Sequence, residues 1–171
     1  MAEAVRKELK ETNDEESDQD TSATVAPLLL TTRQLPVAII DQRAFSFEGV
    51  SYPTVQHAFQ SQKLPEDERE DAANLSLSQV LKLGREAALD ITAWDANKDN
   101  LMRKLVHEQA KQNEDMRKTL IKYKDLQLTV NDLPDVYWPA TLPRIYREVG
   151  HMLHKAMLKR KAEEDDDDDD E

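Results

Sequence analysis

The sequence predicts a helix-rich α+β fold: a single domain carrying a small antiparallel sheet. Three observations lead there. Phe45, Phe47, Val50 and Tyr52 alternate with polar residues about a Glu48-Gly49 pair, the period-two pattern of a half-buried hairpin. Leu142, Tyr146, Val149, Gly150, Leu153 and Met157 recur at the spacing of one face of a long helix, and Leu101, Met102, Leu105 and Val106 form a second such stripe. Finally, the net charge of −12 is unevenly spread: residues 1–26 hold −5 and residues 163–171 hold −9, which leaves +2 for residues 27–162. A near-neutral domain over 27–162 is thus expected between an acidic N-terminal tail, 1–26, and a polyacidic tail, 163–171. Both tails read as disordered and solvated, because neither can bury enough apolar surface to offset the entropy of ordering.

Along the domain, Pro36 to Ile40 is an apolar run of strand type, followed by the hairpin strands at Phe45–Phe47 and Val50–Tyr52. Pro53 ends the second strand, and Thr54 is placed to cap a helix running to about Lys63. Pro65 opens a charged, solvated helical turn over 66–71. Ser76 or Ser78 then caps a short helix through Val80 and Leu83, with Gly84 suited to its C′ position. Trp94-Asp95 precedes the Leu101–Val106 helix, and a further helix after Asn113 carries Met116, Leu120 and Ile121. Leu126 to Val130 alternates like a strand, and Thr141-Leu142-Pro143 reads as the start of the last helix.

Several function classes are excluded at this stage. No apolar run reaches the roughly 18–20 residues of a membrane span, and the first twenty residues lack the apolar core of a secretory signal. The absence of cysteine removes disulfides, thiolate nucleophiles and cysteine-based zinc sites. His57, His107, His151 and His154 show no metal-ligand spacing, so neither a metal nor a cofactor is expected. The expected location is cytoplasmic, with Leu158-Lys159-Arg160-Lys161 as a minimal nuclear-import pattern and the acidic tail as a surface for basic proteins.

Three groups place an aromatic beside a polar or acidic residue at the end of a predicted element: Tyr52 to Gln60, Trp94-Asp95, and Asp135 to Trp138. Such positions can line a pocket that stacks a planar ring and sets a carboxylate beside it; each aromatic alone reads more readily as core packing.

The groups also carry a family resemblance. Gly49-x-x-Tyr52-x-Thr54-x-Gln56-His57-x-Phe59-Gln60-x-x-Lys63 resembles the NADAR (YbiA-like) pattern G-x-x-[YFW]-x-[ST]-x-E-H-x-[FY]-Q-x-x-K. Leu83-Gly84-Arg85, Trp94-x(3)-Lys98-x(3)-Met102, Leu120, Asp135-x-x-Trp138 and Val149-Gly150-x-x-Leu153 follow in the family's order. The resemblance spans about residues 45–160 and implies a YbiA-like fold and N-glycosidase activity. Its substrates would be nucleotide-like: a phosphoribosylated aminopyrimidine of riboflavin synthesis, or ADP-ribose attached to guanine. It further implies catalytic roles at Asp135, His57 and the position of Gln56, and substrate binding by Tyr52, Gln60, Lys63, Trp94 and Trp138.

The sequence departs from the pattern where it matters most. Gln56 stands in place of the motif glutamate, and an amide keeps its reach but supplies neither charge nor a base. Pro139 and Arg147 replace the Gly and Asn usual in the family, and no "L-S-N-F" loop is recognisable over 34–44. Two readings follow. In one, a glycosidase uses Asp135 or Glu48 as its carboxylate; Asp135 fits better, since Glu48 reads more readily as a solvated turn residue. In the other, a degenerate member keeps the fold and a nucleotide or ADP-ribose pocket without turnover, or serves as a scaffold.

Overall fold

The computed structural model describes residues 37–126, 128–130 and 137–167. Strands β1 (Phe45–Phe47) and β2 (Val50–Tyr52) pair antiparallel, with Phe45 opposite Tyr52 and Phe47 opposite Val50. Both turn residues have positive φ, 50° at Glu48 and 83° at Gly49, so the link is the type I′ turn that matches strand twist. Phe45 and Tyr52 face the core while Ser46 and Ser51 face solvent. Among the described residues the sheet has only these two strands.

Among the described residues six helices follow: α1 (Val55–Ser61), α2 (Arg69–Ala73), α3 (Leu77–Glu86), α4 (Ile91–Gln112), α5 (Glu114–Lys122) and α6 (Tyr137–Asp167). A short 3₁₀ turn, Glu66–Glu68, leads into α2, so the charged stretch after Pro65 is helical as expected. Helices α4 and α6 pack on each other and on α5, and α1 lies between α3 and α4. The core they share includes Val37, Ile39, Tyr52, Val55, Phe59, Met102, Leu105, Met116, Leu120, Leu142, Ile145, Tyr146 and Val149. Gly150 lets α6 approach α5, since a Cβ there would stand 2.4 Å from the Leu120 carbonyl oxygen. Gln112 of α4 serves the open edge of β1 as a further strand would. Its amide accepts from Ser46 N at 2.8 Å and donates to Ser46 O at 2.9 Å. Among the described residues no helix is long and apolar enough to cross a membrane.

Several elements differ from the sequence expectations. Val37 to Ile40 forms turns rather than a strand, with Pro36 outside the described residues. Its apolar side chains are buried, but the Ile39 carbonyl accepts from Gln56 N at 2.8 Å and Asp41 N closes back on Ala38 O at 3.0 Å. Leu128 and Val130 are likewise buried without a strand around them, Thr129 making an isolated bridge, while Gln127 lies outside the described residues. In both runs the apolar residues report burial, not conformation.

Gly84 is an interior residue of α3, which ends at Ala87; Ser76 and Gln79 form a capping box at its start. Helix α4 begins before Trp94-Asp95, capped by the Asp90 carboxylate accepting from Ala93 N at 3.1 Å. Helix α6 begins at Tyr137 rather than at Thr141, so Pro143 sits inside it. That proline forfeits one backbone bond, a loss offset by the buried Leu142 and Ile145 on either side. Residues 163–167 continue α6 instead of forming an extended tail: elongating an existing helix is far easier than nucleating one, and Lys159 pairs with Glu163 at 3.6 Å. The expected N-terminal tail, 1–26, lies outside the described residues.

Candidate functional site

All seven residues of α1 are buried, including Gln56, His57, Gln60 and Ser61, a polar load that needs an explanation. One face answers for it through structure. Thr54, the N-cap, accepts from His57 N at 3.1 Å. Its hydroxyl lies 2.7 Å from His57 Nδ1, and Nε2 lies 3.2 Å from the Leu75 carbonyl. A carbonyl can only accept, so Nε2 carries the proton and Nδ1 accepts from Thr54. Burial lowers the pKa of the ring, while the bond to Leu75 opposes that shift. His57 thus ties α1 to the turn before α3 and lines a polar hollow of about 630 Å³ with Gln42, Ser51, Asn74 and Ser76.

The other face of α1 carries Gln56, Phe59 and Gln60, with Lys63 in the turn beyond it. Phe59 is the hub. Trp94 of α4 meets it edge-on at 5.2 Å between centroids, and Trp138 of α6 does so at 5.1 Å. Lys63 Nζ stands 5.3 Å from the Trp94 centroid and 5.7 Å from that of Phe59. Among the described residues no carboxylate pairs with Lys63. Burial lowers its pKa, and repulsion from the nearby Lys98 lowers it further.

Lys98 donates to Asp95 at 2.8 Å and lies 4.1 Å over the Tyr137 ring. Asp95 therefore holds its pKa above the usual lysine value. The Tyr137 hydroxyl donates to Asp99, which also receives Arg144 at 2.9 Å. Tyr137 packs edge-on against Trp138 at 4.9 Å, and burial, followed by the Asp99 bond, raises its pKa. The result is a cationic, aromatic-walled site at the junction of α1, α4 and the start of α6.

Gln60 closes the wall toward α3. Its side chain fills the space above Gly84, where a Cβ would lie 2.0 Å from Gln60 Oε1. Gln56 and Gln60 are 7% and 6% exposed, and among the described residues neither Oε1 has a hydrogen-bond partner. Both are buried acceptors one helical turn apart, and that of Gln60 is packed against Gly84.

Of the residues nominated by sequence, Lys63, Trp94 and Trp138 converge on Phe59, and Gln56 and Gln60 share its face of α1. His57, about 100° around that helix from Gln56, is turned instead toward Thr54 and Leu75. Tyr52 is buried against Phe45 at 6.2 Å, its hydroxyl pKa raised by burial and lowered by Gln62. Glu48 is a turn residue ion-paired with Arg69 at 3.1 Å. Asp135 lies outside the described residues, two positions before α6 begins. Asp99 was not singled out from sequence, and Phe59, Lys98 and Tyr137 stood there only within motifs, with no role of their own; the W-x(3)-K spacing and the Tyr137-Trp138 pair are the signals that point to them. A separate hollow of about 570 Å³, between the hairpin turn, α4 and Met152, includes Glu48 but none of the residues that meet at Phe59.

The NADAR domain family model matches residues 4–158. N-glycosidase YbiA of Escherichia coli (strain K12) is 30% identical over 94 residues, 53% of this chain and 59% of that protein. N-glycosidase YbiA of Shigella flexneri serotype 5b (strain 8401) is 29% identical over 99 residues, 56% of this chain and 62% of that one. The chain thus spans about six-tenths of the length of these relatives. The NMR structure of the E. coli protein YbiA superposes with a TM-score of 0.61 at 24% identity. It covers 68% of this chain and 76% of that one, which shows a shared fold.

Proposed function

Because the chain belongs to the NADAR domain family, we propose that it is an N-glycosidase acting on a phosphoribosyl or ADP-ribosyl group joined to a nucleobase-like ring. The observation that carries this reading is Lys63. A half-buried cation, held against Phe59 and Trp94 and beside a second lysine, is poorly solvated until an anion arrives. A ligand phosphate supplies that anion, and the exposed parts of Trp94 and Tyr137 offer a stacking surface for the ring.

The reaction is hydrolysis. Water oxygen bonds to C1′ as the C1′–N bond breaks, the electron pair leaves with the ring nitrogen, and that nitrogen takes up a proton. The ribose becomes oxocarbenium-like in the transition state, so a carboxylate nearby both stabilises charge and accepts a proton from the water. Gln56 cannot fill that role. We assign it to Asp135, next to the start of α6, and give Gln56 Oε1 the task of accepting from a ribose hydroxyl. His57 belongs to this scheme as a positioning residue that fixes α1 through Thr54 and Leu75.

A second reading rests on Gln56 itself: a pocket that binds the same compounds without turnover. The two separate when purified protein is incubated with guanine-ADP-ribosylated oligonucleotide and with phosphoribosylaminopyrimidine. Release of free base by wild type, lost in Asp135→Asn, is the outcome expected of the enzyme. Release only by Gln56→Glu, with binding retained in wild type, would establish the second reading instead.

A further inference from the structure

Tyr137 is the most exposed ring of the candidate site. At 37% exposed it is not held by burial, as Trp138 beside it is. Ring and polar contacts hold it instead. It packs edge-on with Trp138 at 4.9 Å, and the Lys98 ammonium lies 4.1 Å from its ring centre. Its hydroxyl donates to the Asp99 carboxylate of α4, and Thr141, one turn along α6, also reaches that hydroxyl. How the ring is turned therefore depends on where Asp99 points.

Asp99 has two cations near it. Lys98 is its neighbour in α4, and Asp99 helps to raise its pKa, yet Lys98 donates to Asp95 at 2.8 Å. Arg144 donates to Asp99 at 2.9 Å; it lies seven residues beyond Tyr137, on the same face of α6. Its second terminal nitrogen donates to Glu148 at 3.3 Å, and Glu148 accepts from Arg103 of α4 at 2.6 Å. Asp99, Arg144, Glu148 and Arg103 thus alternate in sign along the seam between α4 and α6. A planar guanidinium bonded to two carboxylates is fixed in direction, as a single rotating ammonium is not. The four side chains are 26–47% exposed, so these pairs are screened and contribute little to stability. Direction is what they supply.

We propose that Arg144 is a positioning residue for the candidate site. By holding Asp99 it keeps that carboxylate on the Tyr137 hydroxyl, and so presents the exposed part of the ring to the planar ring of a ligand. Its role rests on Tyr137 acting as a stacking surface, as proposed above; Arg144 itself touches no ligand. Without the guanidinium, Asp99 is left beside Lys98 and shares its charge between that ammonium and the Tyr137 hydroxyl. The Tyr137 ring then loses its fixed orientation, while Phe59 and Trp138 beneath it stay buried. A loosely held ring costs more ordering entropy when a ligand stacks on it, so affinity falls although no ligand contact has been removed.

Two readouts on the full chain test this. Protein carrying [¹³Cζ]tyrosine has four tyrosine signals, that of Tyr137 being the one absent from Tyr137→Phe. Arg144→Met is expected to shift the Tyr137 signal while those of Tyr52 and Tyr123 stay. Arg144→Lys, which returns a cation to Asp99, is expected to shift it less than half as far. In calorimetric titration with ADP-ribose, Arg144→Met is expected to raise the dissociation constant at least about threefold, and by less than half that factor when Tyr137→Phe is already present. A Tyr137 signal unmoved by Arg144→Met, or moved equally by Arg144→Lys, would overturn the proposal, as would equal effects on affinity in both backgrounds. If wild type binds no ADP-ribose, the stacking role falls together with the proposed site. If it binds and the two substitutions act independently, the role of Arg144 falls alone.

Discussion

Lys63 Nζ lies 5.3 Å from the centre of the Trp94 ring and 5.7 Å from that of Phe59, with no carboxylate among the described residues to pair with it. A lysine in that position is a cation stabilised by ring faces and incompletely solvated. Its pKa is lowered by burial first and by Lys98 second. Removing its charge should therefore weaken an anionic ligand without weakening the fold. Lys63→Met is expected to reduce affinity for ADP-ribose at least about tenfold, the scale of one charge-assisted contact, while the thermal midpoint stays or rises. Calorimetric titration and a melting curve check both halves.

The same lysine sets a pH dependence. Its folded-state pKa lies below its unfolded value, so binding an anion favours the protonated form and takes up a proton. Affinity for a phosphorylated ligand should fall as pH rises through the lowered pKa, and Lys63→Met should flatten that profile. The stability term has the opposite sense: the cost of burying the charge begins to fall as pH rises through the folded pKa and is gone above the unfolded value. A plot of dissociation constant against pH for both proteins tests the sign.

His57 gives a separate effect at lower pH. Burial holds the ring neutral, with Nε2–H on Leu75 and Nδ1 accepting from Thr54. Its stabilising contribution is complete above the unfolded histidine pKa, about 6.5, and is lost as pH falls from there toward the lowered folded value. His57→Ala is expected to cost about 1–3 kcal/mol at pH 7 by leaving the Leu75 carbonyl unpaired. Urea denaturation at pH 7 and 5.5 should show a smaller stability loss on acidification in the variant than in wild type.

Gly84 and Gln60 are coupled by shape. A methyl group at Gly84 would overlap Gln60 Oε1, so Gly84→Ala is expected to destabilise by about 1–3 kcal/mol despite the better helix propensity of alanine. Gln60→Ala should relieve most of that loss, giving a positive coupling in a double-mutant cycle. Additive effects would show that the two side chains do not compete for the same space.

Gln56 controls the chemistry in this scheme. Gln56→Glu restores a charged carboxylate on the Phe59 face of α1 and is expected to raise turnover by about 10²-fold, the lower end of what an acid–base group contributes. Single-turnover kinetics of base release would register it. An unchanged rate would mean that residue 56 serves binding alone.

The hairpin, the capped start of α1 and the apolar stripes of α4 and α6 were legible because each rests on a local period or a cap. Val37–Ile40 and Leu126–Val130 were not, because an apolar run marks burial and leaves the backbone free to turn. Gly84 looked like a helix terminus: glycine at a C′ position and glycine at a close contact are alike in sequence, and only the neighbour across the gap, Gln60, distinguishes them. The N-cap expected at Thr141 failed because Tyr137 and Trp138, anchored by Asp99 and Phe59, start α6 earlier. The site was half visible. Trp94 and Trp138 stood out singly, but their meeting at Phe59 joins three segments distant in sequence, and the Tyr137–Asp99 contact has no local signature at all.

Hydrolysis in water enriched in ¹⁸O tests the central claim most directly, with guanine-ADP-ribosylated oligonucleotide as substrate and mass spectrometry of the products. The account predicts free ADP-ribose carrying one ¹⁸O at C1′ together with unmodified guanine, both absent with Asp135→Asn. An intact glycosidic bond after prolonged incubation, with the oligonucleotide nonetheless bound, would contradict it.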